Sequence, residues 1–566
     1  MDHRQRAVFD SPRPVHAAHP VKTLWRHQAI GRPTGQDLLA GLSLAGLLLP
    51  EAVAYAGIGN LPPQAGMVAL FAGLLAYGLL GCSRFAIVSA TSSSAALLAA
   101  AVGTLSLGHM DWRQSLAAGL VGLAGALFLL GALARLGAAS AFVAKPVLRG
   151  YTFGLAIVII IRQLPSCVAV ATQGSDPGSL LMQLAGLRAQ WHGPSLAVAA
   201  VALITLFGLG RHMRWMPAGL LVMVAGITAQ EWGPLRQLGV HSVGAITLAH
   251  VSPRVPDLGW TQWLRLGELA FAMVLVLYAE SYSSIRSLAL RHGDAVMPDR
   301  DLLALGVANV LSGLFQGMPV GAGYSASVAN EAAGAQTRWA GIMAAAAVGL
   351  MVWWFLPWVA STPVPVLAAV VIWAVSHTLR WQALRPYFIW ERDRLLVCAA
   401  VLAVLVLGVL DGLLLSIGVS LFLTLKGLAD VRLAVLGRLK DSHDFVDLEV
   451  YPRAHIEPDI LVVRPEAPLF FWNAERLMTL VQRQLAQRGG VKVVVLSLEE
   501  SPDLDGSCVE ALRELSLNLT RSGQRLIVAR LKSKAYVVLQ RAGLVGATLT
   551  VLSIDEAVSL ARQHCR

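Results

Sequence analysis

A carboxylate and a proline stand side by side within an apolar segment of this chain. Glu51 follows Pro50 in a run that is otherwise uncharged from about Leu38 to Gly57. An ionisable side chain near the middle of a membrane-spanning segment costs about 3 kcal/mol to insert, so it normally faces a cavity or an ion pathway. Proline removes a backbone donor, which is tolerated where neighbouring groups or water satisfy the freed carbonyl. The stretch therefore predicts a broken helix at a solute site, with Glu51 as the first candidate residue.

Two blocks of small and hydroxyl-bearing residues repeat 236 positions apart, and an apolar segment with a glutamate precedes each block. The two glutamates are Glu51 and Glu280. The shift aligns three pairs of small residues, Ser89 with Ser325, Ala90 with Ala326, and Thr91 with Ser327. Such matches also arise by chance in Ala- and Gly-rich membrane sequence. The paired glutamates favour a true internal repeat.

The composition indicates what class of protein must position these residues. Of the 566 residues, 56% are hydrophobic and 14% are charged, and the mean hydropathy is +0.62. These values indicate a polytopic membrane protein, because soluble domains are far less apolar. The net charge of +11 is spread over short basic clusters between apolar runs, so we expect no nucleic-acid partner. Five scattered cysteines support neither a disulfide framework nor a metal site, and we expect no cofactor.

About fourteen membrane segments are predicted from the apolar runs. They lie approximately over 38–57, 66–81, 95–102, 115–136, 147–164, 195–209, 217–230, 266–290, 301–315, 324–334, 339–356, 363–377, 395–410 and 412–428. The third is a half-helix that follows an extended entry at residues 85–94. The protein is predicted to lie in a bacterial-type inner membrane.

The basic residues between the segments predict the orientation. Alternate connectors carry clusters of arginine and lysine that begin at Arg135, Arg211, Arg286 and Arg380. Because cytoplasmic connectors are rich in basic residues, both termini are predicted to be cytoplasmic. The first repeated block then enters from the cytoplasmic side and the second from outside. Inverted repeats of this kind place the substrate site of many secondary transporters near the bilayer midplane.

The composition changes abruptly after the last apolar run. We expect a cytoplasmic tail at 1–36 without a signal peptide, a transmembrane domain at 37–430, a linker at 431–444 and a soluble domain at 445–566. Strands are predicted at 460–464, 491–498 and 525–529, and helices at 473–488, 508–522 and 535–542. This alternation predicts a small, predominantly parallel sheet covered by helices.

Ordered motifs run through nearly the whole chain. In the apolar part they are Pro50–Ala56, Gly59–Pro63, Ser83–Ser89, Asp301–Asn309 and Tyr324–Ser327, and in the soluble part they are Pro468–Glu475 and Asp505–Ser507. The first set resembles the SulP-type anion transporters, the solute carrier 26 group, and the second set resembles the cytoplasmic STAS domain of that family. The resemblance implies a fourteen-segment, seven-plus-seven inverted repeat with core and gate domains, usually as a homodimer.

The chain departs from the family pattern at three positions near the expected site. Family members commonly carry glutamine where this chain has Glu51. The third segment usually reads Gly-Pro where this chain has Ser89-Ala90. Animal anion exchangers and the related motor proteins carry arginine at the position of Ala326. Without that fixed cation, anion binding must depend on other groups.

Two facing half-helices would supply such groups. A helix N-terminus carries about half an elementary positive charge and free N–H donors, so two of them can bind an anion without a cationic side chain. Substrate contacts are predicted from the two repeated blocks, at Ser89, Ala90, Thr91, Ser92, Ser325, Ala326 and Ser327. Tyr55 and Tyr324 are predicted to line the same pocket. The alternative for any one of these small residues is close helix packing.

The two glutamates would oppose anion binding if both were ionised. Burial favours the neutral form of a carboxyl group, so we expect Glu51, Glu280 or both to take up a proton with the anion. This predicts a proton-coupled symporter of sulfate or a related small anion. Glu280 could instead pair with Arg286 in a structural role.

Several other functions remain open. Sodium could replace the proton, bicarbonate or a C4-dicarboxylate could replace sulfate, and an anion channel or exchanger is the nearest rival mechanism. A nucleobase permease does not fit the STAS-like tail, and an enzyme is not expected because no nucleophile–base pair or metal cluster emerges. Bacterial STAS regulators are phosphorylated on a serine directly after an aspartate. Here Gly506 follows Asp505, so we expect no phosphoswitch at Ser507.

Overall fold

The computed structural model describes residues 32–103, 105, 110–137, 144–172, 177–212, 218–244, 252–377, 379, 381–391, 393–440 and 442–565. The chain divides into two compact units, residues 1–420 and 421–566, and the division falls within one helix. The first unit is almost entirely helical, whereas the second combines helices with a sheet.

The described part of the first unit contains sixteen helices and two short strands, with the last helix extending to residue 429. In chain order they are α1 Gly35–Ile58, α2 Pro63–Leu80, β1 Val88–Ser89, α3 Ser92–Gly103, α4 Met110–Leu133, α5 Lys145–Val168, α6 Pro177–Gly186, α7 Gly193–His212, α8 Ala218–Glu231, α9 Trp260–His292, α10 Pro298–Leu314, β2 Gly321–Ala322, α11 Tyr324–Ala332, α12 Trp339–Ala360, α13 Val364–Ser376, α14 Trp381–Ile389, α15 Arg394–Leu407 and α16 Val409–Ala429. A 3-10 turn, Arg188–Gln190, lies between α6 and α7.

Fourteen of these helices correspond to the predicted segments, and α6 and α14 are short additions. They form two sets of seven, and each set opens with two long helices, a two-residue strand and a short helix. The sets interlock, because α4 packs against α9 and α10 while α12 packs against α1 and α2. Six helices within the described residues are long and apolar enough to cross a membrane. The predicted fold is confirmed.

The predicted break at Pro50 is wrong. Helix α1 runs without interruption from Gly35 to Ile58 and contains Pro50 in its interior. A proline removes only its own N–H, and a helix that packs along its length can absorb that loss. Here α1 packs against both α2 and α12. The interruptions of regular helix lie instead between α2 and α3 and between α10 and α11, where the two strands occur.

The start of α1 is fixed by two carboxylate oxygens. Thr34 and Asp37 form a reciprocal capping box, in which each side chain accepts from the backbone of the other. Such a box satisfies two of the backbone donors that a helix start leaves unpaired. Asp37 is fully buried, and its other carboxylate oxygen, Oδ1, accepts hydrogen bonds from the backbone N–H groups of Gln336 and Thr337, both at 2.9 Å. The carboxylate thereby joins the first helix of one set to the entry of α12 in the other.

The second unit is a six-stranded sheet with helices on both faces. Its elements are β3 Leu433–Arg438, β4 Phe445–Asp447, β5 Ile460–Pro465, α17 Ala474–Arg488, β6 Val493–Ser497, α18 Gly506–Arg521, β7 Arg525–Ala529, α19 Ser533–Ala542, β8 Ala547–Leu549 and α20 Ile554–Cys565. The strand order is β4-β3-β5-β6-β7-β8, parallel from β5 to β8 and antiparallel at β3 and β4. The predominantly parallel sheet was predicted, although β3, β4, β8 and α20 were not.

The predicted linker at 431–444 contains β3 and is therefore not a linker. Leu433 and Val435 pack on one face of the sheet, while Ala434 and Leu436 are buried on the other. A strand whose alternate residues are buried on both faces belongs inside a sheet rather than between domains. The sheet accordingly begins before residue 445.

Candidate functional site

Helices α3 and α11, which follow the two short strands of the first unit, begin beside each other. Strand β1 pairs antiparallel with β2, with Val88 opposite Ala322 and Ser89 opposite Gly321. Each strand leads within a few residues into a short helix, β1 into α3 and β2 into α11. A β-carbon placed on Gly323 would lie 3.4 Å from Cγ2 of Thr91. The N-termini of α3 and α11 therefore meet at one place, as predicted.

Backbone and side-chain hydrogen bonds hold this crossing together. Ile87 donates its N–H to the Ser327 hydroxyl at 3.1 Å, and its carbonyl accepts from Gly323 N–H at 3.2 Å. The Ser327 hydroxyl in turn donates to the Gly323 carbonyl at 2.6 Å. Ser327 is fully buried, and its hydroxyl joins α11 to the segment that leads into β1. Ala322 N–H donates to the hydroxyl of Ser281 on α9 at 2.9 Å.

The start of α3 is connected to the second intramembrane glutamate. Thr91 and Ser94 cap the helix reciprocally, since each backbone N–H donates to the other residue's hydroxyl. Between them, the Ser93 hydroxyl lies 2.9 Å from that of Thr91 and donates to the Glu280 carboxylate. A continuous chain of polar groups thus runs from Glu280 to the first turn of α3. Among the described residues no ion pair joins Glu280 to Arg286, so the alternative structural pairing is not observed.

The start of α11 has no side-chain cap. Gly323 occupies the N-cap position and no side chain accepts from the first turn. Tyr324 and Ser325 are exposed, whereas Ala326 is buried. The Tyr324 hydroxyl accepts a hydrogen bond from Arg291 at 3.0 Å. Uncapped N–H groups beside exposed residues are what a bound anion requires at a helix N-terminus.

Each glutamate lies on a helix that packs against the short helix of the other set. Helix α1, which carries Glu51, packs against α11, and α9, which carries Glu280, packs against α3. Glu51 is partly exposed, and Tyr55 follows it one turn later on the same face and is buried. Helices α1 and α9 each pack against both short helices, and Glu280 reaches the start of α3 through its contact with Ser93.

A cavity of about 720 Å³ lies at the end of this unit where α1, α3 and α5 terminate and α4 and α13 begin. Its wall includes Val53 and Ala54, within one turn of Glu51, and Ala99 of α3. Arg113 and Arg162 also line it. No aspartate or glutamate occurs among its described lining residues, and a guanidinium such as that of Arg113 attracts anions.

The structure changes the register in which the two blocks correspond. Ser325 is the second residue of α11, the place that Ser93 occupies in α3. The 236-residue shift instead aligned Ser325 with Ser89, which lies in β1, is buried and donates to the carbonyl of Ala90 at 3.3 Å. Ala90 is also buried, and Thr91 and Ser92 are partly exposed at the start of α3.

Two site residues, Ser93 and Ser94, are absent from the predicted set. The run from Thr91 to Ser94 offers four hydroxyl side chains, and threonine is a common helix N-cap, whose hydroxyl accepts from the backbone of the second or third helical residue. That signal identifies Ser94 as a capping partner, but the bond from Ser93 to Glu280 joins residues 187 positions apart. Within the described residues, no group of three or more His, Cys, Asp or Glu side chains could hold a metal ion.

Comparison with known proteins gives consistent results for both units. The sulfate permease family model matches residues 35–417, and the STAS domain model matches residues 451–557. A probable sulfate transporter of Mycobacterium tuberculosis is 30% identical over 93% of this chain and 95% of its own length. Human solute carrier family 26 member 6 is 29% identical over 81% of this chain and 63% of its own length. The chloroplastic sulfate transporter 4.1 of Arabidopsis thaliana is 25% identical, over 93% and 80%.

Solved structures agree on the fold. The murine solute carrier 26 family member A9 anion transporter in its inward-facing state aligns with a TM-score of 0.86 and 20% identity, covering 99% of this chain and 98% of that one. The transmembrane domain of a cyanobacterial bicarbonate transporter aligns with a TM-score of 0.60 over 67% of this chain. The chain therefore belongs to the sulfate permease family, as a membrane transporter with a STAS domain and not an enzyme.

Proposed function

We propose that the protein carries a small oxyanion, sulfate or one of similar size, together with a proton across a bacterial-type inner membrane. The observation that supports this most directly is the meeting of the uncapped α11 N-terminus with the α3 N-terminus, where Ser93 contacts Glu280. The sulfate transporters of Mycobacterium tuberculosis and Arabidopsis thaliana favour sulfate as the substrate. Both termini are assigned to the cytoplasm, and the active form is assigned as a homodimer.

The charge at the meeting point explains why a proton should accompany the anion. Two helix N-termini contribute about one elementary positive charge between them. An ionised Glu280, joined to α3 through Ser93, offsets most of that charge. A divalent anion added beside an ionised carboxylate would be repelled in a medium of low dielectric constant. Protonation of Glu280 removes the competing charge and leaves both N-termini available to the anion.

The hydroxyl of Ser93 provides a means of coupling the two events. A serine hydroxyl has one proton to donate and lone pairs that accept. When Glu280 is ionised, Ser93 donates to it, as the contact indicates. When Glu280 is protonated, the carboxylic acid can donate to Ser93, whose own proton is then free to turn towards the anion. Glu51 is assigned the corresponding role beside α11, the short helix of the second set.

The cavity lined by Arg113 and Arg162 is assigned as the route of entry. It extends from the end of the bundle to the level of Val53 and Ala54, next to Glu51. By the orientation that the basic connectors predict, this is the outer end. The Arg113 guanidinium in this wall raises the local concentration of anions and so their rate of entry.

Uptake into proteoliposomes tests the proposal. Radiolabelled sulfate uptake is measured with an inward proton gradient, with an inward sodium gradient and with neither, for the wild type, Glu51→Gln and Glu280→Gln. Glutamine keeps a carbonyl that accepts from Ser93 but cannot titrate. We expect the proton gradient alone to drive wild-type accumulation, and at least one variant to lose accumulation while retaining sulfate–sulfate exchange.

Three results would contradict parts of the proposal. If both glutamine variants accumulate sulfate as the wild type does, the glutamates do not couple the proton. Accumulation driven only by sodium would replace the proton by Na⁺. If flux does not saturate and follows the sulfate gradient alone, the protein is a channel.

A further inference from the structure

The short helix α14 has one packed face and one exposed face. Leu384 and Tyr387 are buried in a small apolar core that α14 shares with α5 and α15. On its other side Trp381, Arg385 and Ile389 follow one another at intervals of four residues, and all three are exposed. The nine residues of α14 span about 14 Å, too little to cross a membrane. A helix of this kind is suited to lie along a membrane surface.

Aromatic rings extend the exposed face past the end of α14. The ring centre of Trp381 lies 5.0 Å from that of Phe388, and the ring centre of Trp390 lies 6.0 Å from that of Tyr387. More than half of each tryptophan is nevertheless exposed, 55% of Trp381 and 68% of Trp390. Tryptophan is enriched where the hydrocarbon of a membrane meets the headgroups. The two indoles therefore indicate that this surface lies at the level of the headgroups.

Cations that are distant in the sequence lie together beside these rings. The guanidinium of Arg149 on α5 donates to the Ala383 carbonyl of α14 at 2.7 Å and lies 5.7 Å from the centre of the Tyr387 ring. Arg385 is two residues beyond Ala383, and Lys145 is one turn before Arg149 on the same face of α5. All three cations are exposed. The start of α5 and the helix α14 therefore form one basic surface.

Helix α15 adds a fourth cation, because it runs beside α5 in the same direction. A β-carbon on Gly150 would lie 2.6 Å from the Val397 carbonyl oxygen, and one on Gly154 would lie 3.1 Å from that of Val401. The exposed Arg394, the first residue of α15, is therefore level with the start of α5. The cations of this surface belong to basic clusters that are predicted to be cytoplasmic.

The surface has an excess of positive charge. Two exposed carboxylates, Glu391 and Asp393, lie in the turn between α14 and α15. Among the described residues, neither these nor any other carboxylate forms an ion pair with the four cations, which are Lys145, Arg149, Arg385 and Arg394. Unpaired exposed cations favour an anionic partner.

We propose that this surface, formed by α14 and the starts of α5 and α15, binds the headgroup of an anionic phospholipid in the cytoplasmic leaflet. The four cations bind the phosphate, and Trp381, Ile389 and Trp390 lie against the glycerol and the first carbons of the acyl chains. The charge selects an anionic lipid over a zwitterionic one. The exposed apolar side chains favour a lipid over a soluble phosphate ion, because an ion would leave them in water. The bound lipid thereby joins three helices, and it does so whichever anion the protein carries.

Thermal unfolding of the full chain in detergent tests the proposal. Phosphatidylglycerol, phosphatidylcholine or glycerol 3-phosphate is added in increasing amounts, and the rise in unfolding temperature gives an apparent dissociation constant. The wild type is compared with the double variant Arg385→Gln/Arg394→Gln. Each cation at an anionic surface contributes about fivefold to the affinity, so the double variant should bind phosphatidylglycerol about 30-fold more weakly. Each single variant should bind it about fivefold more weakly.

Two further double variants serve as controls. Arg385→Lys/Arg394→Lys keeps both charges. Arg188→Gln/Arg265→Gln removes two exposed cations at the opposite end of the first unit, where α5 ends and α9 begins. Both controls should bind phosphatidylglycerol as the wild type does. Neither Arg385 nor Arg394 forms a hydrogen bond or an ion pair with any described residue, so all the variants should unfold at the wild-type temperature when no lipid is added.

Four results would contradict the proposal. If phosphatidylcholine stabilises the wild type as well as phosphatidylglycerol does, the surface does not recognise an anionic headgroup. If glycerol 3-phosphate stabilises it equally well, the ligand is a soluble phosphate and not a lipid. Unchanged affinity in the glutamine double variant would place the lipid elsewhere. An equal loss of affinity in the lysine double variant would show that the charge of these side chains does not bind the lipid.

Discussion

Replacing Gly73 by alanine should displace the strand that leads into α3. Gly73 lies on α2 directly against β1, and a β-carbon at this position would lie 2.3 Å from the Val88 carbonyl oxygen and 2.8 Å from the carbonyl carbon. Ordinary contacts begin at 3.4 Å, so β1 and α2 must separate by about 1 Å, a strain of the kind that costs about 1–3 kcal/mol in a packed core. The residues that follow β1 begin α3, so the displacement reaches the anion site.

The assay compares Gly73→Ala with Gly208→Ala in the full chain. Gly208 also lies in a helix, α7, but a β-carbon there would have no neighbour within 4 Å. We expect Gly73→Ala to lower the unfolding temperature by several degrees and to reduce gradient-driven sulfate uptake more than tenfold, while Gly208→Ala stays near the wild type. Equal unfolding temperatures and equal uptake for the two variants would refute the reasoning that β1 positions the site.

Three further perturbations have definite expected results. Ser93→Ala removes a hydrogen bond to the Glu280 carboxylate, and such a bond is worth about 1.5–3 kcal/mol. The variant should therefore unfold at a lower temperature and show a higher KM for sulfate uptake. An unchanged KM would exclude Ser93 from the site. Arg113→Glu should slow uptake about tenfold or more at low ionic strength, and added salt should reduce this difference from the wild type. Arg113→Lys, which keeps the charge, should behave as the wild type. A difference that does not depend on salt would contradict electrostatic steering. In the STAS unit, the hydrogen bond from Arg530 lowers the pKa of Glu499, so this pair should stabilise the fold at neutral pH, by at most about 1 kcal/mol because both side chains are partly exposed. That contribution is lost as the pH falls below the usual glutamate range. Urea unfolding should therefore give the wild type a higher free energy of unfolding than Glu499→Gln at pH 7, and equal values in acid. A difference that persists in acid would contradict the assignment.

The apolar runs predicted most of the fold because membrane helices need long apolar sequences. All fourteen segments are present within a few residues of their predicted ends. The predicted break at Pro50 was wrong because the sequence shows the loss of one backbone donor but not whether neighbouring helices stabilise α1 on both sides of it. Strand β3 was missed because its apolar residues, Leu433 to Leu436, come almost directly after the apolar helix α16. In the sequence they look like the end of that apolar run, although in the structure they alternate between the two faces of the sheet.

The meeting of α3 and α11 was predicted from the sequence, but the contacts of individual residues were not. The paired glutamates and the hydroxyl-rich blocks identified the elements that meet. The blocks consist of alanine, glycine and serine, whose similar sizes leave the register of the repeat undetermined, so Ser89 was aligned where Ser93 belongs. The contact between Ser93 and Glu280 depends on the packing of α3 against α9, which no local pattern in the sequence shows.

The ladder between β1 and β2 constrains how a substrate can cross. Its bonds join backbone atoms of the two halves of the chain, so neither short helix can shift alone without breaking them. We therefore expect any movement that exposes the substrate to one side of the membrane and then to the other to carry α3 and α11 together. Helices outside the ladder, such as α5, pack against this pair without sharing its backbone bonds.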